Sequence, residues 1–164
     1  AGFDVKKSEV HGMSQRGGSV EAHLRYGEKV YSPLIEPGSA DILVAFEILE
    51  AVRYLPYLHR DSAVVVNTQK ILPPAVALGK ASYPENILDE LKSRHINVVA
   101  VDAFAVAASV GELRTANVAM VGAMSNFLAV SPEVFLQVID DTVKEQFREV
   151  NKRAFSAGRA AVYA

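Results

Sequence analysis

The residues with the clearest chemical potential lie together in segment 8–18, whose sequence is SEVHGMSQRGG. A guanidinium presents a fork of donors to a carboxylate or phosphate, and glycine lets backbone N–H groups approach a ligand closely. We therefore predict that Arg16, with the backbone amides of Gly17 and Gly18, binds an anionic group or docks a partner. The simpler alternative is a polar connection whose glycines serve only its turns.

The other polar side chains of this segment are weaker candidates. Ser14 and Gln15 could supply further hydrogen bonds to the same group, and His11 could carry a proton. A lone histidine is more often structural, and no HExxH or phosphate-binding Gly-Lys-Ser/Thr motif is present, so we predict no catalytic residue and no metal site. Because strand-like residues follow the segment, we expect it at the mouth of a sheet, where open α/β folds bind ligands.

Two further polar residues stand at the ends of predicted buried strands. Glu47 follows the strand 41–46 and opens a helix, and Asn67 ends the strand 62–67, much as Asp102 ends a third. The carboxyl ends of parallel strands meet at one edge of a sheet, so we expect Glu47 and Asn67 to form the rim of a cleft there. The alternative is that both have only a local role: Glu47 is a carboxylate placed favourably at a helix start, and Asn67 simply ends its strand.

Hydrophobic periodicity indicates an α/β fold. Continuous apolar strands at 41–46, 62–67 and 96–101 alternate with helices predicted at 47–55 and 84–95, which is typical of a parallel sheet covered by helices. Segments 4–10 and 19–26 have strand patterns, and we expect residues 29–31 to pair back on the second one. The predicted fold is a Rossmann-like three-layer α/β sandwich with a mostly parallel sheet, a β-hairpin extension and a helical C-terminal part.

The predicted C-terminal helices at 115–130 and 144–162 carry small residues that would permit close packing. Those in the first helix occur at helical spacing: Ala116, Ala119, Gly122 and Ala123. Gly158 in the last helix is unfavourable there by about 1 kcal/mol relative to alanine, which also indicates a close approach. We expect the amides of Asn117 and Asn126 to bond a loop backbone or a facing subunit, because buried amides need partners.

Composition narrows the classes of function. The 164 residues fit one domain, and the formal net charge of −2 gives no electrostatic footprint for nucleic acid or an anionic membrane. The absence of cysteine excludes thiolate nucleophiles and cysteine-ligated iron–sulfur clusters on this chain. No apolar run is long enough to span a bilayer, and we expect a cytoplasmic protein.

These motifs, in this order, resemble the gamma-type domain of 2-oxoacid:ferredoxin oxidoreductases. The similarity rests on residues 8–20, 31–35, 40–47, 66–68, 115–122 and 151–158. The version Ser-Gln-Arg-Gly-Gly is most similar to the small (beta) subunit of indolepyruvate ferredoxin oxidoreductase. Members of this family usually start with a strand and a Gly-rich turn, so we expect that both are missing from the single domain 1–164.

The resemblance implies a subunit that binds no cofactor itself. The whole enzyme would decarboxylate a 2-oxoacid oxidatively, form an acyl-CoA with coenzyme A and reduce ferredoxin, with thiamine diphosphate and iron–sulfur clusters in a large partner subunit. The loop around Arg16 would face that partner near the active-site entrance and contact the substrate or coenzyme A.

Other interpretations remain open beside this one. The chain could be a free-standing Rossmann-like module that binds a nucleotide or flavin. It could also be a purely structural assembly subunit whose interface is the helix 115–130. In isolation it could form a homodimer.

Overall fold

The computed structural model describes residues 2–11, 20–93 and 97–162, and the strands of this part form two separate sheets. β1 (Asp4–His11) and β2 (Val20–Gly27) form an antiparallel hairpin, which we call the arm. β3 (Ala40–Ala45), β4 (Leu58–Asn67) and β5 (Asn97–Val101) form a parallel sheet in that order. The α/β fold with a hairpin extension is therefore confirmed.

Helices enclose the parallel sheet from both sides. In chain order they are α1 (Ile48–Arg53), α2 (Pro74–Ala77), α3 (Ile87–Ser93), α4 (Ala103–Ser109), α5 (Ala116–Met124), α6 (Pro132–Thr142) and α7 (Glu145–Ala160). Val64 and Val66 of β4 pack against α1 and α3, whereas Val65 between them packs against α4 and α5. Successive side chains of a strand point to opposite faces, so this fully buried run serves both outer layers.

The arm differs from the prediction in its strand pairing. Residues 29–31 do not pair back on β2; β1 takes that place, with eight residue pairs from Asp4–Gly27 to His11–Val20. A three-residue segment could not have offered as long a ladder of backbone hydrogen bonds. Val30 is instead buried, and its N–H donates to Asp4 Oδ2 at 3.0 Å. The segment after Gly27 thus fixes the base of the arm.

Several predicted helix bounds are wrong near residues that break helical geometry. The helix predicted from residue 84 begins at Ile87, because Asn86 takes a φ of +59°. The predicted loop at residues 73–74 contains the start of α2, with Pro74 in its first turn. The helix predicted to run to residue 130 ends at Met124 and continues as a short 3-10 turn, Ser125–Phe127.

The C-terminal helices α5 and α7 pack backbone against backbone. A Cβ atom added to Gly158 would lie 2.0 Å from the carbonyl oxygen of Ala119, and one added to Gly122 would lie 2.1 Å from that of Phe155. The close packing predicted for Gly158 is confirmed. Because α7 occupies the small-residue face of α5, that face is not free to act as an interface with another subunit.

The two asparagines of this region behave differently. The side-chain amide of Asn126 donates to the carbonyl oxygens of Ala123 and Arg159, both at 3.1 Å, as expected for a partly buried amide. Asn117 is exposed on α5, so the prediction that it is buried is wrong. It lies on the side of the helix that faces away from the sheet and α7.

Candidate functional site

Glu47 lies at the carboxyl edge of the parallel sheet, where it caps α1. Its Oε2 accepts hydrogen bonds from the N–H groups of Leu49 and Glu50 at 2.8 and 3.1 Å. Its Oε1 accepts from the N–H of Ile71 at 3.1 Å and from the hydroxyl of Tyr83 at 2.5 Å. The side chain is buried, and both of its oxygens are used inside the chain.

The phenol of Tyr83 is protonated in its contact with Glu47. Burial, together with the neighbouring Glu47 carboxylate, raises the pKa of Tyr83 well above its usual range. The phenol therefore stays protonated and acts as a donor to the carboxylate. The pair joins the start of α1 to the segment before α3 and holds the edge of the sheet together.

Asn67 lies at the same edge and connects the ends of all three parallel strands. Its Nδ2 donates to the carbonyl oxygen of Phe46, after β3, at 3.1 Å, and its Oδ1 accepts from the N–H of Ala103, after β5, at 3.0 Å. Its exposure is 1%. Asn67 and Glu47 therefore lie at the carboxyl edge of the sheet, but their polar atoms bind backbone groups of this chain and, at Glu47, also the hydroxyl of Tyr83.

The helices α1 and α4 begin at this edge, and carboxylates of the chain itself cap both N-termini. Asp102 Oδ1 accepts from the N–H of Ala105 at 2.8 Å and so caps α4, as Glu47 caps α1. Doubly wound folds bind the phosphates of a nucleotide on helix N-termini. At α1 and α4 those positions carry carboxylates, which repel phosphate. This arrangement disfavours a nucleotide site at these two helices.

Apolar side chains cover the outside of the edge instead. Phe46, whose carbonyl oxygen accepts from Asn67, is 50% exposed, and Phe104, which follows Ala103, is 41% exposed. Ile71 and Leu72, beyond β4, are both more than half exposed. Exposed large apolar side chains grouped at one edge of a fold are typical of a protein interface. Sequence reasoning missed these residues, although Phe46 is the last residue of one predicted strand and Phe104 lies three positions beyond another.

The glycine-rich segment lies outside the described residues, but its two ends are placed. His11 and Val20 form the last residue pair of the arm. Residues 12–19, which include Ser14, Gln15, Arg16, Gly17 and Gly18, therefore join the arm's two strands. Both flanking strands belong to the arm and not to the parallel sheet, and the expectation that the segment lies at the mouth of a sheet concerns residues outside the described part. The side chain of His11 is also outside the described part.

Side chains on the inner face attach the arm to the rest of the domain, and His23, Arg25 and Asp4 make three of these contacts. His23 is buried and its Nδ1 accepts from the N–H of Ile35 at 2.9 Å. The guanidinium of Arg25 donates to the carbonyl oxygens of Ser32 and Leu34 at 3.2 and 3.3 Å. Asp4 accepts from Val30, as described above, and Lys6 beside it holds the pKa of the Asp4 carboxyl below its usual range.

The outer face of the arm is exposed along its length. Alternate side chains of the two strands point to this face, and those of Val5, Val20 and Leu24 are more than half exposed. Among the described side chains of this face, Lys7 and Glu9 form an ion pair of 2.8 Å with each other. A two-stranded hairpin with an uncovered apolar face is marginal in water, so this face is typical of an interaction surface.

Within the described residues, no group of three or more His, Cys, Asp and Glu side chains could hold a metal ion. None of the described helices combines the length and the apolar character that a membrane crossing requires. The candidate functional site is therefore the arm with its connecting segment, and the carboxyl edge is a structural network under an apolar surface.

Comparison with known proteins agrees with this architecture. The family model for pyruvate ferredoxin/flavodoxin oxidoreductase matches residues 1–161. Indolepyruvate oxidoreductase subunit IorB of Archaeoglobus fulgidus is 39% identical over 96% of this chain and 80% of its own length.

Two solved structures have the same fold. The gamma subunit of a keto/oxoacid ferredoxin oxidoreductase from Geobacter sulfurreducens matches with a TM-score of 0.68 at 21% identity, over 99% of this chain and 82% of its own. A 2-oxoglutarate:ferredoxin oxidoreductase from Magnetococcus marinus matches with a TM-score of 0.68 at 18% identity, over 99% of this chain but 26% of its own. This chain belongs to the pyruvate ferredoxin/flavodoxin oxidoreductase family.

Proposed function

We propose that this chain is the small subunit of a cytoplasmic 2-oxoacid:ferredoxin oxidoreductase whose substrate is indolepyruvate. The observation that carries the proposal is the 39% identity to the Archaeoglobus IorB subunit over nearly the whole chain. The assembled enzyme cleaves the bond between the carboxylate and the carbonyl carbon of the 2-oxoacid. Carbon dioxide leaves, the acyl group passes to the thiol of coenzyme A, and two electrons reduce ferredoxin while the thiol proton is released.

In this proposal a large partner subunit supplies the cofactors. Thiamine diphosphate and the iron–sulfur clusters are held by that partner, and this chain binds neither. Its own sequence contains no cysteine, which is compatible with that division. The exposed apolar side chains on the outer face of the arm, where Lys7 and Glu9 pair with each other, support a contact with the partner through apolar side chains.

The segment at the end of the arm is where we place this chain's contribution to turnover. Arg16, supported by the amides of Gly17 and Gly18, would bind the carboxylate of the 2-oxoacid or a phosphate of coenzyme A. Ser14, Gln15 and His11 would complete the polar surface around that anion. Glu47 and Asn67 would act more remotely, by holding the backbone of the sheet edge beneath its apolar surface.

The test is to co-express the full-length chain with the large subunit and compare Arg16→Ala with a matched control, Arg60→Ala, which removes an exposed guanidinium at the start of β4. We expect the Arg16 variant to lower kcat/KM by about 100-fold, since losing one charge-assisted contact to a reacting group typically has that effect, and the control to match the wild type. Equal activity of both assembled variants would contradict the role of the loop.

The substrate is tested on the same complex. Turnover of indolepyruvate, pyruvate and 2-oxoglutarate is followed through ferredoxin reduction with coenzyme A present. The highest kcat/KM is expected for indolepyruvate. A preference for either of the other two acids would overturn the substrate assignment and leave the subunit assignment intact.

A further inference from the structure

We propose that His23 is a positioning residue that fixes the angle of the arm on the rest of the domain and thereby the position of the arm's end in the assembled enzyme. The inference rests on the proposed function, in which the end of the arm serves that enzyme. It depends on four features of the described residues: the burial of the imidazole, the partners of its two ring nitrogens, its distance from the end of the arm, and the exposure of the side chains beyond it.

The two ring nitrogens of His23 have different partners, and these define its tautomer. Nδ1 accepts from the backbone N–H of Ile35 at 2.9 Å, and since an N–H group can only donate, Nδ1 carries no proton. The proton is therefore on Nε2, which donates to Glu21 Oε1 at 2.5 Å. The neutral imidazole thus connects the arm to the segment that leads into the parallel sheet.

Aromatic residues in the rest of the domain, which we call the body, complete the attachment of the arm. The ring of His23 meets the ring of Tyr57 edge to face, with centroids 5.6 Å apart and an interplanar angle of 88°. Glu21, the acceptor from Nε2, also receives a hydrogen bond from Tyr54. His23 and Glu21 are therefore held by two separate parts of the body, residue 35 and the 3-10 turn that follows α1.

His23 lies part of the way along the arm, so it acts as the fulcrum, the point about which the arm's end would tilt. His23 pairs with Ser8, and the last pair, His11–Val20, lies three positions further along the arm. At about 3.4 Å per residue, the arm extends about 10 Å beyond the fulcrum. A tilt of about 10° at His23 would move that end by about 2 Å, and a displacement of about 1 Å at a reacting group can reduce catalysis about 100-fold.

The remaining attachments are less suited to this role. Asp4 and Arg25 contact the body near the base of the arm, at the opposite end from segment 12–19. Nearer that segment, Val10 on the inner face and Val20 on the outer face are both more than half exposed. Of the contacts named above between described residues, those nearest the arm's end that reach the rest of the domain are made by His23 and its acceptor Glu21.

Two substitutions separate the functions of the two nitrogens. In His23→Asn the side-chain oxygen occupies about the place of Nδ1 and can still accept from Ile35. In His23→Gln the longer side chain reaches about the place of Nε2 and loses that bond. Hydrogen exchange at the Ile35 amide of the full chain reports the attachment without reference to turnover. We expect at least a tenfold faster exchange in His23→Gln and near wild-type exchange in His23→Asn.

Kinetics of the assembled complex then test the positioning role. We expect His23→Gln to lower kcat by at least tenfold with a much smaller change in KM for the 2-oxoacid, and His23→Asn to restore most of kcat. Normal kcat in His23→Gln, despite fast Ile35 exchange, would overturn the inference, as would unchanged Ile35 exchange. If His23→Gln does not fold, Glu21→Ala removes the acceptor of the Nε2 hydrogen bond and is expected to lower kcat in the same way, normal kcat again overturning the inference.

The Arg16→Ala complex distinguishes this inference from the proposed function. Loss of activity in Arg16→Ala with normal kcat in His23→Gln would reject only the positioning role. Normal activity in both variants would reject the role of the loop, and the positioning role with it.

Discussion

The arm and the α5–α7 pair bury their side chains to opposite degrees. Ala119, Met120 and Ala154 in the helix pair are completely buried, and glycine brings the two backbones into direct contact. In the arm, Val5 and Leu24 are more than half exposed, although they lie on adjacent positions of one sheet face. The helix pair packs its facing sides within the chain, whereas the arm leaves an apolar face for something outside it.

This contrast predicts where substitutions act. Changes in the helix pair and at the sheet edge should lower the free energy of unfolding, because they remove or crowd contacts inside the chain. Changes on the outer face of the arm should leave that free energy almost unaffected and weaken assembly instead. The predictions below test the contrast in order of decreasing effect.

The largest effect is expected for Gly158→Ala. The new Cβ would lie 2.0 Å from the carbonyl oxygen of Ala119, so α5 and α7 must move apart. We expect a loss of at least about 3 kcal/mol in the free energy of unfolding, more than offsetting the roughly 1 kcal/mol gain in helix propensity. The matched control is Gly27→Ala in the arm, where the Cβ would meet only Val30 Cγ2 at 3.9 Å. Equal urea midpoints for the two variants would contradict the close packing.

Asn67→Ala should have the next largest effect. It leaves the buried N–H of Ala103 and the carbonyl of Phe46 without their side-chain partner, at a cost of about 2–4 kcal/mol. The control is Asn117→Ala on the exposed side of α5, which should change stability by no more than about 0.5 kcal/mol. Denaturant unfolding of both variants measures the difference, and a small effect at Asn67 would mean that the three strand ends are held by other contacts.

On the outer face of the arm, Leu24→Ser should affect assembly rather than stability. The side chain is more than half exposed, so we expect a change of no more than about 0.5 kcal/mol in unfolding free energy. Binding to the large subunit should weaken by about tenfold, equivalent to about 1.4 kcal/mol. Tyr31→Ser, at an exposed residue outside the arm's strands, serves as the control. A binding constant as tight as the control's would remove this face from the interface.

The smallest effect is a pH dependence of the arm's attachment. The hydrogen bond from His23, followed by that from Tyr54, holds the pKa of Glu21 below its usual value of 4.5. A lowered pKa in the folded state means that the stabilisation is present above about pH 4.5 and is lost as the pH falls through the lowered value. Exchange at the Ile35 amide should therefore accelerate below about pH 4.5, after correction for intrinsic exchange. Glu21→Gln should flatten this difference, and an identical profile in both proteins would contradict it.

Local patterns were sufficient to predict the body of the fold. The run Val64, Val65, Val66 could only be a strand buried on both faces, and the glycine in α7 signalled a close helix contact because it is otherwise unfavourable in a helix. Glu47 and Asn67 were correctly placed at the edge of the sheet, since strand ends are local features. Their partners were not predictable, because Tyr83 and Ala103 each lie 36 positions further along the chain.

The arm was predicted less well for the same reason. The alternation in residues 20–26 indicates a strand but does not identify its partner, and the nearest segment proved to be the wrong choice. The role of His23 was also missed, although its place on the polar face of an alternating strand was visible. Only the fold shows that this face turns toward Ile35 and Tyr57 and not toward solvent.

The most direct test of the account is hydrogen–deuterium exchange of the full-length chain, free and in complex with the large subunit. We predict strong new protection in β1 and β2 of the complex, with exchange in α5 and α7 unchanged because those helices are already buried within the chain. Protection confined to the helices, or an arm that exchanges equally fast in both states, would contradict the claim that the arm is the part of this subunit that meets its partner.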